Sequence, residues 1–241
     1  MNSSELRQRA RDALNGRWLV AIIAGLVASV LGGVSSPSMS FNFDFSSADF
    51  TNEDMQVLFD QLGINTEILN KIFAVIGALA VVGLVYAIIM FVIGSAVGVG
   101  YSAFNLDLVD GREAKLGRLF GSFGIWKTAL VTNLLRGLYV ALWSLLLIIP
   151  GIIASYSYAM TNYILAENPD MAPNDAIAAS KEMMKGNKLR FFCLELSFIG
   201  WVLLSILTLG IGNIWLVPYM QASYAAFYRD IKPTEPILIS E

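Results

Sequence analysis

Long apolar runs alternate with short polar segments along this chain of 241 residues. Residues 72–106 contain no charged side chain, residues 128–166 contain only Arg136, and residues 191–228 contain only Glu195. Runs of this kind exceed the roughly 18 residues that indicate a membrane-spanning helix. The second and third runs are each nearly long enough to cross a ~30 Å hydrocarbon core twice, because a helix rises 1.5 Å per residue.

Both of these longer runs are interrupted near the middle. Pro150 and Gly151 interrupt the first of them, and Gly210 and Gly212 interrupt the second. Proline and glycine favour turns, so we predict a tight helical hairpin at each place. A third pair of spans, 18–34 and 72–104, is joined by a long polar segment.

The predicted fold is all-α: a polytopic bundle of six transmembrane helices, built from three helical hairpins, with a short amphipathic cytoplasmic helix before each hairpin. We expect the first span to be retained and not cleaved as a signal peptide, because Glu5 and Asp12 precede it and no clear cleavage site follows.

The predicted segments of this single membrane domain (1–241) are a cytoplasmic helix (1–17), spans at 18–34 and 72–104 around an acidic extracytoplasmic loop (35–71), a cytoplasmic loop (105–127), spans at 128–149 and 151–166, a cytoplasmic loop and helix (167–190), spans at 191–209 and 211–228, and a cytoplasmic tail (229–241).

The basic residues test this topology independently. Of the sixteen Lys and Arg residues, fourteen fall on the side of the two termini, Lys71 falls on the other side, and Arg136 lies within a span. The positive-inside rule then places both termini in the cytoplasm. The loop between the first two spans is acidic, and we interpret it as a solvated loop, because its carboxylates lack the ligand spacing of a calcium loop.

The chain also contains a pattern that occurs three times. Each unit has a basic cytoplasmic segment, a span, a glycine-containing turn, and a returning span that ends in a Tyr/Ala/Phe-rich stretch. Internal duplication and convergence on the needs of a membrane hairpin both explain it. The basic amphipathic segments suit either recognition of anionic lipid headgroups or ordinary anchoring at the interface.

The two charges within the apolar runs are the candidates for buried polar chemistry. Arg136 and Glu195 both enter from the cytoplasmic side, and charges at such depth usually face the bundle interior and pair. We predict an Arg136–Glu195 pair, with Asn133 nearby. The alternative is that Arg136 extends to the headgroups while Glu195 pairs with Arg190 or Lys188.

Small residues indicate one further packing site. Gly94 and Gly98 form a small-xxx-small motif, which favours close helix packing within the chain over packing between two copies. Because the chain has no histidine and a single cysteine, Cys193, histidine-based catalysis, an internal disulfide and a thiolate metal cluster are excluded. We therefore expect no catalytic, cofactor-binding or metal-binding residues.

Several stretches closely resemble the bacterial integral-membrane family catalogued as domain of unknown function 975. They lie at residues 143–153, 163–170, 176–186, 196–201, 207–212 and 218–219. The resemblance extends over essentially the whole chain and implies a polytopic protein of the bacterial plasma membrane, without known catalytic residues. A more distant similarity to the membrane domain attached to some glycerophosphodiester phosphodiesterases implies an accessory membrane role, by analogy only.

We thus predict a non-enzymatic membrane protein that scaffolds or regulates a partner, or organises lipid, through its basic cytoplasmic face. Its expected partners are the bilayer, anionic headgroups and an unidentified membrane protein, and not nucleic acid. The alternative is a small transporter or carrier with a polar cavity near Arg136, Glu195 and Asn133. A membrane-embedded enzyme acting through Glu167, Asp170 or Glu195 is the weakest hypothesis.

Overall fold

The computed structural model describes residues 2–33 and 66–233, and within these ranges the chain is helical and contains no strand. The all-α class predicted from the sequence is therefore confirmed for this part. Two short 3₁₀ turns, Leu116–Leu119 and Gly121–Ile125, lie between the helices Thr66–Val109 and Trp126–Leu146. The α-helices are α1 (Ser3–Leu14), α2 (Trp18–Val30), α3 (Thr66–Val109), α4 (Trp126–Leu146), α5 (Ile148–Ser157), α6 (Thr161–Glu167), α7 (Pro173–Met183), α8 (Lys188–Leu196), α9 (Ile199–Leu207) and α10 (Asn213–Ile231).

Three helical runs in the described ranges are long and apolar enough to cross a membrane: Phe73–Val109, Leu116–Leu146 and Lys188–Leu207. A fourth is added if α1 and α2, which meet at a bend of 102°, count as one broken span. Of the remaining predicted spans, 211–228 lies in α10, which has 19 residues but is not among these runs, and the other two contain only short helices, α2 with 13 residues and α5 with 10. Helices of that length reach only about 15–20 Å. The structure is thus compatible with a membrane protein, while the number of spans remains a proposal.

Helix α1 begins with a capping box. The backbone N–H of Asn2 donates to the carboxylate of Glu5 at 2.9 Å, which satisfies an end group that would otherwise lack a partner. The apolar face of α1, formed by Leu6, Ala10 and Leu14, is fully buried, and the helix packs against α10. This apolar face is therefore occupied by protein contacts.

The turn between α4 and α5 lies earlier than the sequence predicts. The chain leaves the helix at Leu147, which has extended backbone angles, and Pro150 stands inside the first turn of α5. Proline is tolerated there because the first N–H groups of a helix have no intrahelical partner. Gly151 is not a turn residue either: it lies within α5, where the backbone and side chain of Ser144 approach too closely to leave room for a Cβ.

The turn between α9 and α10 occupies the residues between Leu207 and Asn213. Leu209 and Gly210 both have left-handed backbone angles, with φ of 53° and 86°, and this conformation favours glycine at the second position. Gly212 caps α10 and lies against Ser205, whose hydroxyl donates to the Asn213 side chain at 2.8 Å.

The segments predicted to be amphipathic cytoplasmic helices differ in form. Residues 116–125 form 3₁₀ turns, because three glycines among these ten residues disfavour a continuous α-helix. Helix α7 begins at Pro173 in the favoured first position and ends before Gly186, which has a φ of 75°. The predicted acidic loop lies outside the described residues up to 65, and the six residues that follow belong to α3.

The chain divides into two compact units, residues 1–35 with 91–241, and residues 36–90. The described part of the second unit is residues 66–90 of α3, a helical segment with large exposed apolar side chains. In the first unit, one core cluster joins α6, α7, α8 and α10, and another joins α1, α2 and the C-terminal part of α3. The sites described below lie in the first unit.

Candidate functional site

A network of charged side chains joins the C-terminal ends of three helices. Arg229 of α10 donates to both carboxylate oxygens of Asp110, from Nε at 2.8 Å and from Nη2 at 2.5 Å. Asp110 follows α3 directly. The Nη1 atom of Arg229 donates to Glu167, the last residue of α6. A single guanidinium thus connects α3, α6 and α10 through the two-pronged geometry that makes such pairs strong.

Glu167 receives further hydrogen bonds. The Tyr228 hydroxyl donates to its Oε2 atom at 2.6 Å, and the Lys232 ammonium does so at 2.6 Å. Burial alone would raise the pKa of Glu167, but the hydrogen bonds from Lys232, Tyr228 and Arg229 outweigh burial and hold the pKa below its ordinary value. Likewise, burial would lower the pKa of Arg229, but its bonds to Asp110 and Glu167 raise it. Both groups are therefore charged at neutral pH.

The network continues towards the amino-terminal helices. Asp107 pairs with Arg118 at 3.0 Å and with Arg112 at 3.3 Å, and Arg112 also pairs with Asp110 at 2.5 Å. Arg17, at the bend between α1 and α2, donates to the backbone carbonyl of Arg112 at 2.7 Å. We refer to Arg17, Asp107, Asp110, Arg112, Arg118, Glu167, Arg229 and Lys232 as the charge network.

Glu195 has phenolic partners and does not pair with Arg136 in the structure. Its Oε2 atom accepts a hydrogen bond from the Tyr156 hydroxyl at 2.5 Å, and its Oε1 atom accepts one from Tyr224 at 3.4 Å. The predicted Arg136–Glu195 pair is therefore corrected, since the two side chains belong to different surroundings. Arg190, which the alternative paired with Glu195, instead pairs with Asp230 at 2.5 Å. Two tyrosines satisfy a half-buried carboxylate without a second charge.

Arg136 instead lines a cleft of about 250 Å³. The cleft lies between the end of α2, the middle of α3, α4 and the start of α6. Its polar side chains are Ser95, Asn133, Arg136 and Asn162. Arg136 and Asn133 thus line the same cleft, and Glu195 is not among the described residues that line it.

Closely packed glycines form one wall of this cleft. A Cβ at Gly94 would stand 2.6 Å from the carbonyl oxygen of Gly32, and a Cβ at Gly98 would stand 3.0 Å from that of Gly33. These distances are shorter than side chains tolerate, so α3 approaches the end of α2 only because both glycines lack a side chain. The small-xxx-small motif therefore packs within the chain.

Asn162 is a polar residue within an apolar run, as are Asn213 and Gln221. Its Oδ1 atom is buried and has no hydrogen-bond partner among the described residues. The other two form bonds between helices or across a turn: Asn213 accepts from Ser205, and the Gln221 side chain accepts from Tyr163 at 3.4 Å. Asn162 therefore differs from them, because a buried polar atom normally has a partner.

The charge network was not predicted from the sequence. In the sequence, Asp107, Asp110, Glu167 and Arg229 flank apolar runs, and that pattern does not pair them with one another. The available signal was their position, since each lies within a few residues of the Tyr/Ala/Phe-rich end of a returning span. Opposite charges at helix ends that meet on one side of a bundle favour pairing. Glu167, one of the three residues of the weakest enzyme hypothesis, is hydrogen-bonded within this network.

Comparison with known proteins identifies one similarity. The model of a family described as "Protein of unknown function (DUF975)" matches residues 144–235. No curated protein and no solved structure matches the chain. The match begins near the end of α4 and includes α5 to α10, which contribute Glu167 and Arg229 to the charge network and Asn162 to the cleft. Through this region the predicted resemblance is confirmed: the chain resembles the family of unknown function 975.

Proposed function

We propose that this protein is a non-enzymatic, six-span component of the bacterial plasma membrane that scaffolds or regulates a partner through its basic cytoplasmic face. The observation that carries the proposal is the charge network. It holds the ends of α3, α6 and α10 in one arrangement, on the side that the positive-inside rule assigns to the cytoplasm. A fixed set of helix ends provides a rigid platform for binding.

The basic side chains outside the network supply the contact surface of this platform. Lys127, Lys181 and Lys185 are exposed, and Lys185 retains 65% of its side-chain surface even while it pairs with Glu182. Exposed ammonium groups near an anionic leaflet attract headgroups at about 1 kcal/mol per charge. They attract acidic protein surfaces in the same way.

The test is purification of the full-length protein from its native membrane, followed by identification of the lipids and proteins that remain bound. We expect the triple variant Lys127→Gln, Lys181→Gln, Lys185→Gln to lose the bound anionic lipid or partner that the wild type retains. The matched control is the single variant Lys71→Gln, which removes an exposed ammonium from the predicted opposite side. Identical profiles for all three proteins would contradict the proposal.

A second candidate, a small transporter or carrier, is favoured by the polar cleft at Arg136 and Asn133. A charged side chain within a transmembrane segment commonly marks a substrate pathway. The measurement is uptake of labelled small anions into proteoliposomes that contain the protein, compared with proteoliposomes that contain Arg136→Gln. Uptake that depends on Arg136 supports a carrier; absence of uptake above empty liposomes supports the accessory role.

A further inference from the structure

Three helices meet around the carboxylate of Glu195, which lies in the helical run Lys188–Leu207 that is apolar enough to cross a membrane. We propose that Glu195 of α8, Tyr156 of α5 and Tyr224 of α10 form a binding site for the primary ammonium group of an apolar molecule, either a lipid with an amine headgroup or a long-chain amine. The inference goes beyond the proposed platform for partners, because it uses none of the residues of the charge network.

The charge of Glu195 is hydrogen-bonded, but no described residue pairs with it as a cation. The Tyr156 and Tyr224 hydroxyls donate to its two oxygens, at 2.5 and 3.4 Å, and phenols supply no positive charge. On the same helix, Arg190 pairs with Asp230. Charges within membrane-spanning helices usually pair, because a low dielectric makes an uncompensated charge costly. Glu195 therefore attracts a cation from outside the described part of the chain.

The oxygens of this site suit an ammonium group that carries hydrogens. A primary ammonium has three N–H donors, and an ionised carboxylate accepts more than the two hydrogen bonds that the phenols donate. Each phenol oxygen also keeps lone pairs with which it accepts a hydrogen bond while it donates to Glu195. A quaternary ammonium lacks N–H groups and benefits only from the charge. The site therefore favours a primary ammonium.

Aromatic rings lie beside the carboxylate. The centroid of the Tyr156 ring lies 5.9 Å from that of Phe191 and 6.0 Å from that of Phe192, and Phe191 lies 5.0 Å from Tyr224. The face of an aromatic ring attracts a cation within about 6 Å of its centroid. Phe192 is 40% exposed, and Tyr156 and Glu195 are each partly exposed, so the site is open on this side.

The side chains around this opening are apolar. Ile152 and Ile153 lie one helical turn before Tyr156, and Phe192 lies one turn before Glu195, so each shares a face with the site residue of its helix. All three are exposed. A hydrocarbon chain attached to the ammonium group would bury apolar surface against them. The ligand is therefore apolar apart from one positive charge, which matches the single carboxylate.

The experiment measures the thermal unfolding midpoint of the full-length protein in nonionic detergent at pH 7, with dodecylammonium, dodecyltrimethylammonium or dodecanol added. A ligand that binds the folded state raises the midpoint. We expect dodecylammonium to raise it until the site is saturated, dodecyltrimethylammonium to bind about tenfold more weakly because it lacks N–H groups, and uncharged dodecanol to have no effect. The proposal is wrong if dodecylammonium has no effect, or if either other probe acts as strongly.

Two variants assign the effect to this site. Glu195→Gln keeps the size of the side chain but removes its charge, and we expect it to abolish the response to dodecylammonium. Phe192→Leu keeps an apolar side chain but removes the ring, and we expect severalfold weaker binding. Because Phe192 lies at the surface, this variant tests the site even if Glu195→Gln does not fold. The control is Glu113→Gln, which alters an exposed carboxylate and should respond like the wild type.

An undiminished response in Glu195→Gln contradicts the proposal, and so does one in Phe192→Leu where Glu195→Gln does not fold. The source of the ammonium group is determined by native mass spectrometry of protein released from vesicles of equal parts phosphatidylethanolamine and phosphatidylcholine, which differ in primary and quaternary ammonium. Preferential retention of phosphatidylethanolamine that Glu195→Gln loses assigns the site to a lipid headgroup. Equal retention of the two lipids, with the response to dodecylammonium intact, assigns the site to a free long-chain amine.

Discussion

Charged residues with similar sequence surroundings have different roles because their partners differ. Arg229 is 15% exposed at its side chain and bridges two carboxylates, so removing it would leave Asp110 and Glu167 without their shared cation. Glu195 accepts hydrogen bonds from two phenols, and neither partner carries a formal charge of the opposite sign. At the scale of the residue, Arg229 therefore contributes to stability mainly by electrostatic pairing and Glu195 by hydrogen bonding.

The pH dependence of stability provides a test of Glu167. Its pKa in the folded protein lies below the ordinary value of 4.5, because its hydrogen bonds outweigh burial. A lowered folded-state pKa contributes stability above the unfolded-state pKa, and this contribution is lost as pH falls from about 4.5 through the folded-state value. We expect Glu167→Gln to lower the free energy of unfolding at pH 7 by roughly 1–3 kcal/mol and to flatten its decline in acid.

The measurement is thermal or denaturant unfolding in detergent between pH 7 and pH 3. The control is Glu113→Gln, since Glu113 is 80% exposed at its side chain and, within the part of the chain that the structure describes, pairs only with exposed Lys115. Exposed pairs contribute about 0–1 kcal/mol, so this variant should follow the wild type. If Glu167→Gln and Glu113→Gln have the same pH profile, the network does not stabilise the fold.

Close backbone contacts at glycine residues help to position the helices of this protein. Gly94 and Gly98 bring α3 against the end of α2, and Gly100 lies so close to the Leu119 carbonyl that no Cβ fits between them. Gly77 and Gly83, in the same helix, face open space. At the scale of the element, glycine is therefore required at these positions in the C-terminal part of α3. In the N-terminal part of α3, a side chain in place of glycine would meet no neighbouring atom.

Substitution of these glycines by alanine should separate the two classes. In Gly94→Ala the new methyl group would meet the Gly32 carbonyl at 2.6 Å, so the backbone must move, and we expect a loss of about 1–3 kcal/mol of stability. In Gly83→Ala the stability should be unchanged or increased by up to about 1 kcal/mol, because alanine is the better helix former. Unfolding of both variants in detergent provides the comparison, and equal stabilities would show that the contact between α2 and α3 is loose.

Some features of the whole molecule follow directly from apolar periodicity, and others depend on contacts that no local pattern encodes. The apolar runs predict the helical class, and the glycine motif in α3 predicts a close helix contact. The position of the turn at Leu147 was missed, because proline fits the first turn of a helix as well as it fits a loop. The tyrosine partners of Glu195 were also missed. The position of a residue along a span gives its depth in the membrane. Which neighbouring helix its side chain faces depends on how the helices pack.

The charge distribution also predicts on which side of the membrane each polar segment lies. Fourteen of the sixteen basic residues fall in segments assigned to one side, and the six-span arrangement is the one that keeps them together. Reporter insertions at Asn52, outside the described residues, and at Asn174, in α7, should therefore report opposite sides, with Asn174 in the cytoplasm. A reporter at the C-terminus serves as a reference for the cytoplasmic side. If Asn52 and Asn174 report the same side, an odd number of spans between them is excluded. The six-span arrangement would then be wrong.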